Sequence, residues 1–290
     1  MSNDILQPIP DEDIPKLQEI YKKQLPRNTH IYNYLQSVIK WKKLRPDKNY
    51  ITLLAPHGNW KNGTIVGIHK YNCYELFLST LEEDWSILFE ALIKTKLIEW
   101  NRSLLLYAVH MDHYSTVMKA LKETKYRFYL SNVCDIWWMP HEKARNLEIN
   151  CPPEVYVDKL NPTHAVLINS HWPHRYKDSH KYVATLIELN GGYGVFLKTD
   201  GTLVAWVLRN LIGLGALQTL DEHKRKGYGS LVTTVLAKEI AKEGLNPIGT
   251  VLQNNFGSQK MFGKLGFEIL ETVTFTENEE MRVNLCNGST

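Results

Sequence analysis

The sequence predicts an α/β protein of two halves, each a mixed sheet flanked by helices. Three observations predict it. The chain has 290 residues, and at about 100–200 residues per domain that is room for two. Its composition is that of an ordinary globular protein, 43% hydrophobic and 22% charged, which excludes disordered, collagen-like and low-complexity architectures. Helix-spaced apolar runs also alternate with short strand-like runs in the same order in both halves.

In the first half, residues 14–23 and 31–43 carry apolar side chains at helical spacing, the second run stopping before Arg45-Pro46. Residues 50–55, 63–69 and 73–78 read as strands separated by turns such as Pro56-His57-Gly58. Residues 84–96 form a predicted helix with Trp85, Leu88, Phe89, Leu92 and Ile93 on one face. A strand over 104–109, a helix over 115–124 and a strand over 126–134 follow. The less regular stretch holding Pro140, Pro152 and Pro153 sets the boundary, giving domains 1–150 and 151–290.

The second half starts with a strand at 156–160 and helices at 162–169 and 179–188, the latter ended by Gly191-Gly192. Strands at 193–198 and 202–209 are joined by the hairpin signal Asp200-Gly201. A strand at 213–220, a helix at 227–243, a strand at 247–253, a helix at 256–265 and closing strands complete it.

The net charge of +3 is too small to call for a polyanionic partner, so neither nucleic acid nor a membrane surface is expected. Cys73, Cys134, Cys151 and Cys286 lie far apart with no Cys-x-x-Cys, and no metal site is read from them. The acidic residues 1–13 lack a basic region and an apolar core, so an intracellular protein, cytoplasmic or mitochondrial and not secreted, is the expectation.

The sharpest feature is the run from Leu220 through Asp221, Glu222, His223, Lys224, Arg225, Lys226, Gly227, Tyr228 and Gly229 to Ser230. A strand ends, a basic turn follows, and a long amphipathic helix starts at glycines. Such a junction binds anions, because uncapped N–H groups converge there and the helix dipole adds about half a positive charge. Gly227 and Gly229 leave the backbone open to a phosphate, and Lys224, Arg225 and Lys226 surround it. An isolated Gly-x-Gly also starts helices that bind nothing. Position 232 is Val, so the dinucleotide fingerprint fails, and the Gly-Lys-Ser/Thr of a P-loop is missing.

A second feature follows, from Gln253-Asn254-Asn255 to Gly266-Phe267. Paired asparagines end a strand and suit a helix cap, and Gly266 suits a left-handed helix stop. The first half has no glycine-rich corner of this kind. If the halves are duplicates, only the second kept a ligand site.

Taken in this order, the two features resemble the GNAT superfamily of acyl-CoA N-acyltransferases, and in particular its glycine N-acyltransferase-like branch. Lys224, Gly227 and Gly229 fall on the Arg/Gln-x-x-Gly-x-Gly/Ala motif. Asn255 and Ser258 fall on Asn-x-x-Ala/Ser, and Lys264, Gly266 and Phe267 on Lys-x-Gly-Phe. The resemblance covers about residues 155–283, and it implies two GNAT-like domains, the N-terminal one degenerate.

It further implies that acyl-CoA, as acetyl-CoA or a longer thioester, places its pyrophosphate on the amides of Arg225 through Ser230. The pantetheine arm would run beside a splayed strand at Gln218, Thr219 and Leu220, whose backbone positions the thioester, and Asn255 would meet it. A small amine or amino acid would attack the acyl carbon directly, with no metal.

Three departures from the pattern stand out. Lys224 replaces Arg or Gln. Phe262 takes the cofactor-side position where many members carry a proton-donating Tyr. Residues 212–216 lack the carboxylate associated with the branch. Glu222 and His223 are the nearest candidate catalytic groups. Trp172 and His174, in the run from Ser170 to Tyr176, are candidate acceptor-binding residues; the His171/His174 pair has no third metal ligand at suitable spacing. A catalytically weak acyl-CoA-binding protein and a protein N-acetyltransferase stay open as alternatives.

Overall fold

Strand β1 (Leu6–Pro8) precedes the two helices that apolar spacing predicts, α1 (Ile14–Lys22) and α2 (Thr29–Leu44). The computed structural model describes residues 4–281, so Cys286 lies outside the described residues. Ile14, Leu17 and Tyr21 bury one face of α1, and Ile31, Tyr34, Leu35, Val38 and Trp41 one face of α2, the stripe of core-facing helices. Next come β2 (Ile51–Pro56), β3 (Ile65–His69), β4 (Glu75–Ser79), α3 (Ser86–Lys94), β5 (Leu105–His110), α4 (Met111–Glu123) and β6 (Phe128–Trp138). Helix α4 starts at Met111, earlier than residue 115, because the His110 ring accepts the Asp112 N–H and caps it.

The second half holds α5 (His141–Arg145), β7 (Val155–Lys159), α6 (Ala165–Ser170), α7 (Ser179–Leu189), β8 (Gly192–Leu197) and β9 (Leu203–Arg209). Strand β10 (Leu214–Thr219), α8 (Tyr228–Lys242), β11 (Ile248–Leu252), α9 (Phe256–Lys264) and β12 (Glu268–Asn278) complete it.

Two compact units divide these elements. Unit 1 is Met1–Cys134, Tyr176–Asp178 and Glu271–Thr290; unit 2 is Asp135–Arg175 and Ser179–Leu270. In unit 1 the strands lie in the order β1-β2-β3-β4-β5, antiparallel as far as β4 and then parallel. Unit 2 repeats the plan: β7, β8, β9 and β10 are antiparallel neighbours, and β10 runs parallel to β11. The expected mixed α/β architecture is present, and the shared element order is a shared topology.

Each unit takes its sixth strand from elsewhere in the chain. Beside β5 in unit 1 lies the part of β12 from Glu271 onward, with Val273 opposite His110. The remaining neighbour of β11 in unit 2 is β6, of which residues 135–138 belong to that unit.

Glu271 fixes the returning strand in unit 1. Its buried carboxylate accepts the Asn28 N–H at 3.2 Å and lies 3.4 Å from His30 Nδ1 and 3.7 Å from His110 Nε2. Burial pushes the carboxyl up, but His30, the Asn28 N–H and His110 outweigh it and hold it below the ordinary glutamate value. A lowered folded value stabilises the protein above the unfolded value, and that contribution is lost as pH falls through the folded one. Glu271→Gln is therefore expected to cost about 1.5–3 kcal/mol at neutral pH in denaturant unfolding. The gap from wild type should close toward low pH; a gap independent of pH would contradict this account.

Candidate functional site

The site forms where β10 ends and α8 begins. Strand β10 pairs with β9 through Gly215, opposite Leu208, and resumes at Gln218, opposite Trp206. Ala216 and Leu217 thus face a single residue, with Ala216 at φ 47°, which makes a β-bulge. On its other side β10 is in register with β11 only at Leu214 and Gly249, so the parallel strands part beyond that pair. Every residue of β10 after Leu214 is half-buried, whereas β4 in unit 1 is buried throughout.

Gly213 sets where the parting starts. A Cβ there would lie 2.2 Å from Ile248 O, so only glycine lets the two chains approach so closely.

Beyond β10 a single 3₁₀ turn, Asp221–His223, leads to Lys224, Arg225 and Lys226, all exposed. Arg225 at φ 63° and Gly227 at φ 84° then turn the chain into α8. Gly227 is the N-cap residue, no side chain caps the helix, and an added Cβ at 227 would meet nothing within 4 Å. The first-turn N–H groups of α8 are uncapped at the positive end of the helix. A Cβ on Gly229 would lie 3.4 Å from Thr219 Oγ1 and 3.6 Å from Met261 Sδ. The start of α8, the end of β10 and α9 therefore meet at one place.

The other predicted residues sit around this junction in different ways. Asn255 Oδ1 accepts the Ser258 N–H at 3.1 Å and caps α9. Lys224 is ion-paired with Asp221 at 2.5 Å. Tyr228 donates its hydroxyl to Glu154 at 2.9 Å, and the half-buried His223 ring stacks on it with Nδ1 buried and unpartnered. Glu222 is exposed. Phe262 is a core side chain: its ring lies 5.0 Å from Phe267 and 6.3 Å from Trp137, and a Cβ on Gly249 would fall 2.6 Å from it.

The loop between α6 and α7 is held in part by contacts to those two helices. Trp172 stacks on Tyr182 at 5.5 Å with His174 at its edge, and Ser179 Oγ donates to Asn169 Oδ1 at 2.7 Å. Burial pushes His174 below the ordinary histidine value, which favours the neutral ring. His171 stands edge-on to Trp206 at 5.7 Å, and Trp206 faces Gln218 beside the bulge. Sequence reasoning left His171 among surface histidines, because no spacing links it to a tryptophan on β9.

Unit 1 has a different corner between β4 and α3. Glu82, Glu83 and Asp84 precede the helix, and Asp84 Oδ1 accepts the Ser86 N–H at 2.9 Å. Carboxylates there repel an anion. Among the described residues, no group of three or more His, Cys, Asp or Glu could hold a metal ion, and no helix is long and apolar enough to cross a membrane. Cys73, Cys134 and Cys151 form no disulfide.

Comparison with known proteins bears on this geometry. Residues 192–276 match the family described as FR47-like protein, and residues 5–120 match Domain of unknown function (DUF5645). No curated protein matches the sequence. The chain is similar to a solved Drosophila protein, with TM-score 0.88 and 23% identity over 96% of this chain and 100% of that one. It is also similar to a GCN5-related N-acetyltransferase from Kribbella flavida (TM-score 0.56, 12% identity, 84% of this chain and 95% of that one). A tandem GNAT protein from the clavulanic acid biosynthesis pathway gives TM-score 0.55 and 10% identity over 94% and 98%. The fold is that of the GCN5-related N-acetyltransferases in tandem.

Proposed function

We propose that the protein is an acyl-CoA-dependent N-acyltransferase of the glycine N-acyltransferase-like branch. It would move an acyl group from a coenzyme A thioester to the amine of a small acceptor such as an amino acid. One observation carries the reading: a strand parts from its parallel neighbour beside an uncapped, glycine-led helix N-terminus. Unpaired strand backbone accepts an extended arm as it would another strand, and the helix end accepts a pyrophosphate. The FR47-like match and the fold support the same reading.

In this reading the N–H groups from Arg225 to Ser230 hold the pyrophosphate, with Lys224 and Lys226 adding positive charge. The pantetheine lies along Gln218, Thr219 and Leu220, near Asn255 and Ser258. The Leu220 N–H already donates to Val204 O at 2.9 Å, so the donor to the thioester carbonyl comes from the bulge. Phe262 supports β11 from the core. Glu222 and His223 flank the phosphate turn as candidate proton carriers, and Trp172 and His174 shape the acceptor side. The amine attacks the acyl carbon directly, so the rate rests largely on positioning.

A catalytically weak acyl-CoA-binding protein is the second reading. Phe262 favours it, because a buried phenyl ring cannot protonate a leaving thiolate. Calorimetric titration with coenzyme A, acetyl-CoA and a longer acyl-CoA, followed by thiol release with a panel of amines, separates the two. Binding with amine-dependent release is the expected result. Binding without release favours the second reading, and no binding removes both.

A further inference from the structure

Building on the acyl transfer proposed above, we infer that His171 is the general base that takes the proton from the attacking amine. His171 follows α6, and its Nδ1 lies 3.1 Å from Leu167 O and 3.1 Å from Ser170 Oγ. A carbonyl only accepts, so Nδ1 carries the proton and donates it. Ser170 Oγ is itself a donor to Leu167 O at 2.7 Å. The neutral ring therefore presents its lone pair on Nε2, the tautomer being set by the bond at the other nitrogen.

The ring also packs against a residue of β9. It stands edge-on to Trp206, with 70° between the ring planes. Trp206 is buried in β9 and faces Gln218 across the ladder. Facing residues of antiparallel strands share one side of the sheet, with Cβ atoms about 4.5–5.5 Å apart. His171 thus covers the side of the sheet that carries Gln218, one residue past the bulge. Asp221, beyond the end of the same strand and paired to Lys224, lies within electrostatic reach of the ring.

The alternatives are placed less well. The His223 ring is stacked on Tyr228 with Nδ1 buried, and Glu222 projects from an exposed 3₁₀ turn. His171 is exposed, so no side chain closes it off from an incoming amine.

The step balances without a further reagent. The amine nitrogen bonds to the acyl carbon, the carbon–sulfur bond breaks, and coenzyme A leaves as a thiolate. The proton lost by nitrogen passes to His171 Nε2 and then to the thiolate, giving an amide and a free thiol.

The test compares wild type with His171→Asn, His171→Ala and Glu222→Gln. The readout is thiol release from acetyl-CoA, with the common amino acids and with water as acceptors. His171→Asn is expected to lower kcat about 10²-fold or more and to remove the acidic limb of the pH profile. Its affinity for coenzyme A should stay unchanged by calorimetry. Free imidazole should restore part of the rate to His171→Ala, which a merely structural role would not allow. Long-range 1H–15N spectra of wild type should show His171 protonated on Nδ1.

A wild-type rate and acidic limb in His171→Asn, loss of that limb in Glu222→Gln instead, or a proton on Nε2 would overturn the assignment. Binding by wild type without transfer to any acceptor, or no binding of coenzyme A at all, would instead overturn the acyltransferase reading on which the inference rests.

Discussion

Gly227→Glu is expected to abolish coenzyme A binding in a protein that still folds. Position 227 is exposed, and a side chain there meets nothing within 4 Å, so the glutamate is accommodated sterically. Its left-handed backbone, φ 84°, costs an L-residue about 1–2 kcal/mol, and Gly227→Ala carries the same cost. What the glutamate adds is a carboxylate among the N–H groups proposed to hold a pyrophosphate. Like charges about 4 Å apart repel by about 4 kcal/mol at the effective dielectric of a protein surface. That is enough to lower affinity by about a thousandfold. Calorimetry should find no heat for Gly227→Glu and binding within about tenfold of wild type for Gly227→Ala. Wild-type affinity in the glutamate variant would place the pyrophosphate elsewhere.

The largest effect on stability is expected from Gly213→Val. The added Cβ would lie 2.2 Å from Ile248 O and 2.7 Å from Ile248 Cγ1. Ile248 O is backbone, so no rotamer change relieves it, and β10 must move away from β11. The strands share one registered pair, Leu214 with Gly249, directly beside the clash. Overpacking of this kind costs about 3 kcal/mol, seen as a fall in melting temperature of about 6–12 °C. An unchanged melting temperature would mean that the approach at Gly213 contributes nothing to holding the two strands together.

The glycine corner was legible because it is written in local chemistry. A basic turn, Gly227 at a position of positive φ and Asn255 at a helix cap each leave a residue-type signature. The bulge was not legible, because Ala216 adopts φ 47° although alanine carries no preference for it. The resemblance implied a splayed strand at Gln218, Thr219 and Leu220, but what parts the strands was hidden: it depends on Gly213 meeting Ile248, a contact between segments far apart in the chain. Strand β1 escaped notice because three residues show no periodicity. Phe262 was tied to the cofactor through its motif position, and the structure puts its ring against Gly249 in the core. The role inferred for His171 rests on a ring contact with Trp206, which no pattern in either segment announces.

The exchange of closing strands ties the fate of the two halves together. A gene shortened to residues 151–290 would keep the entire glycine corner yet lose residues 135–138 of unit 2. One shortened to residues 1–150 would lose the strand that starts at Glu271 and lies beside β5. Recombination that replaces one half with a relative's must therefore also match a strand encoded in the other. Discarding the half without the glycine corner would leave the half that carries it without residues 135–138 of its own unit.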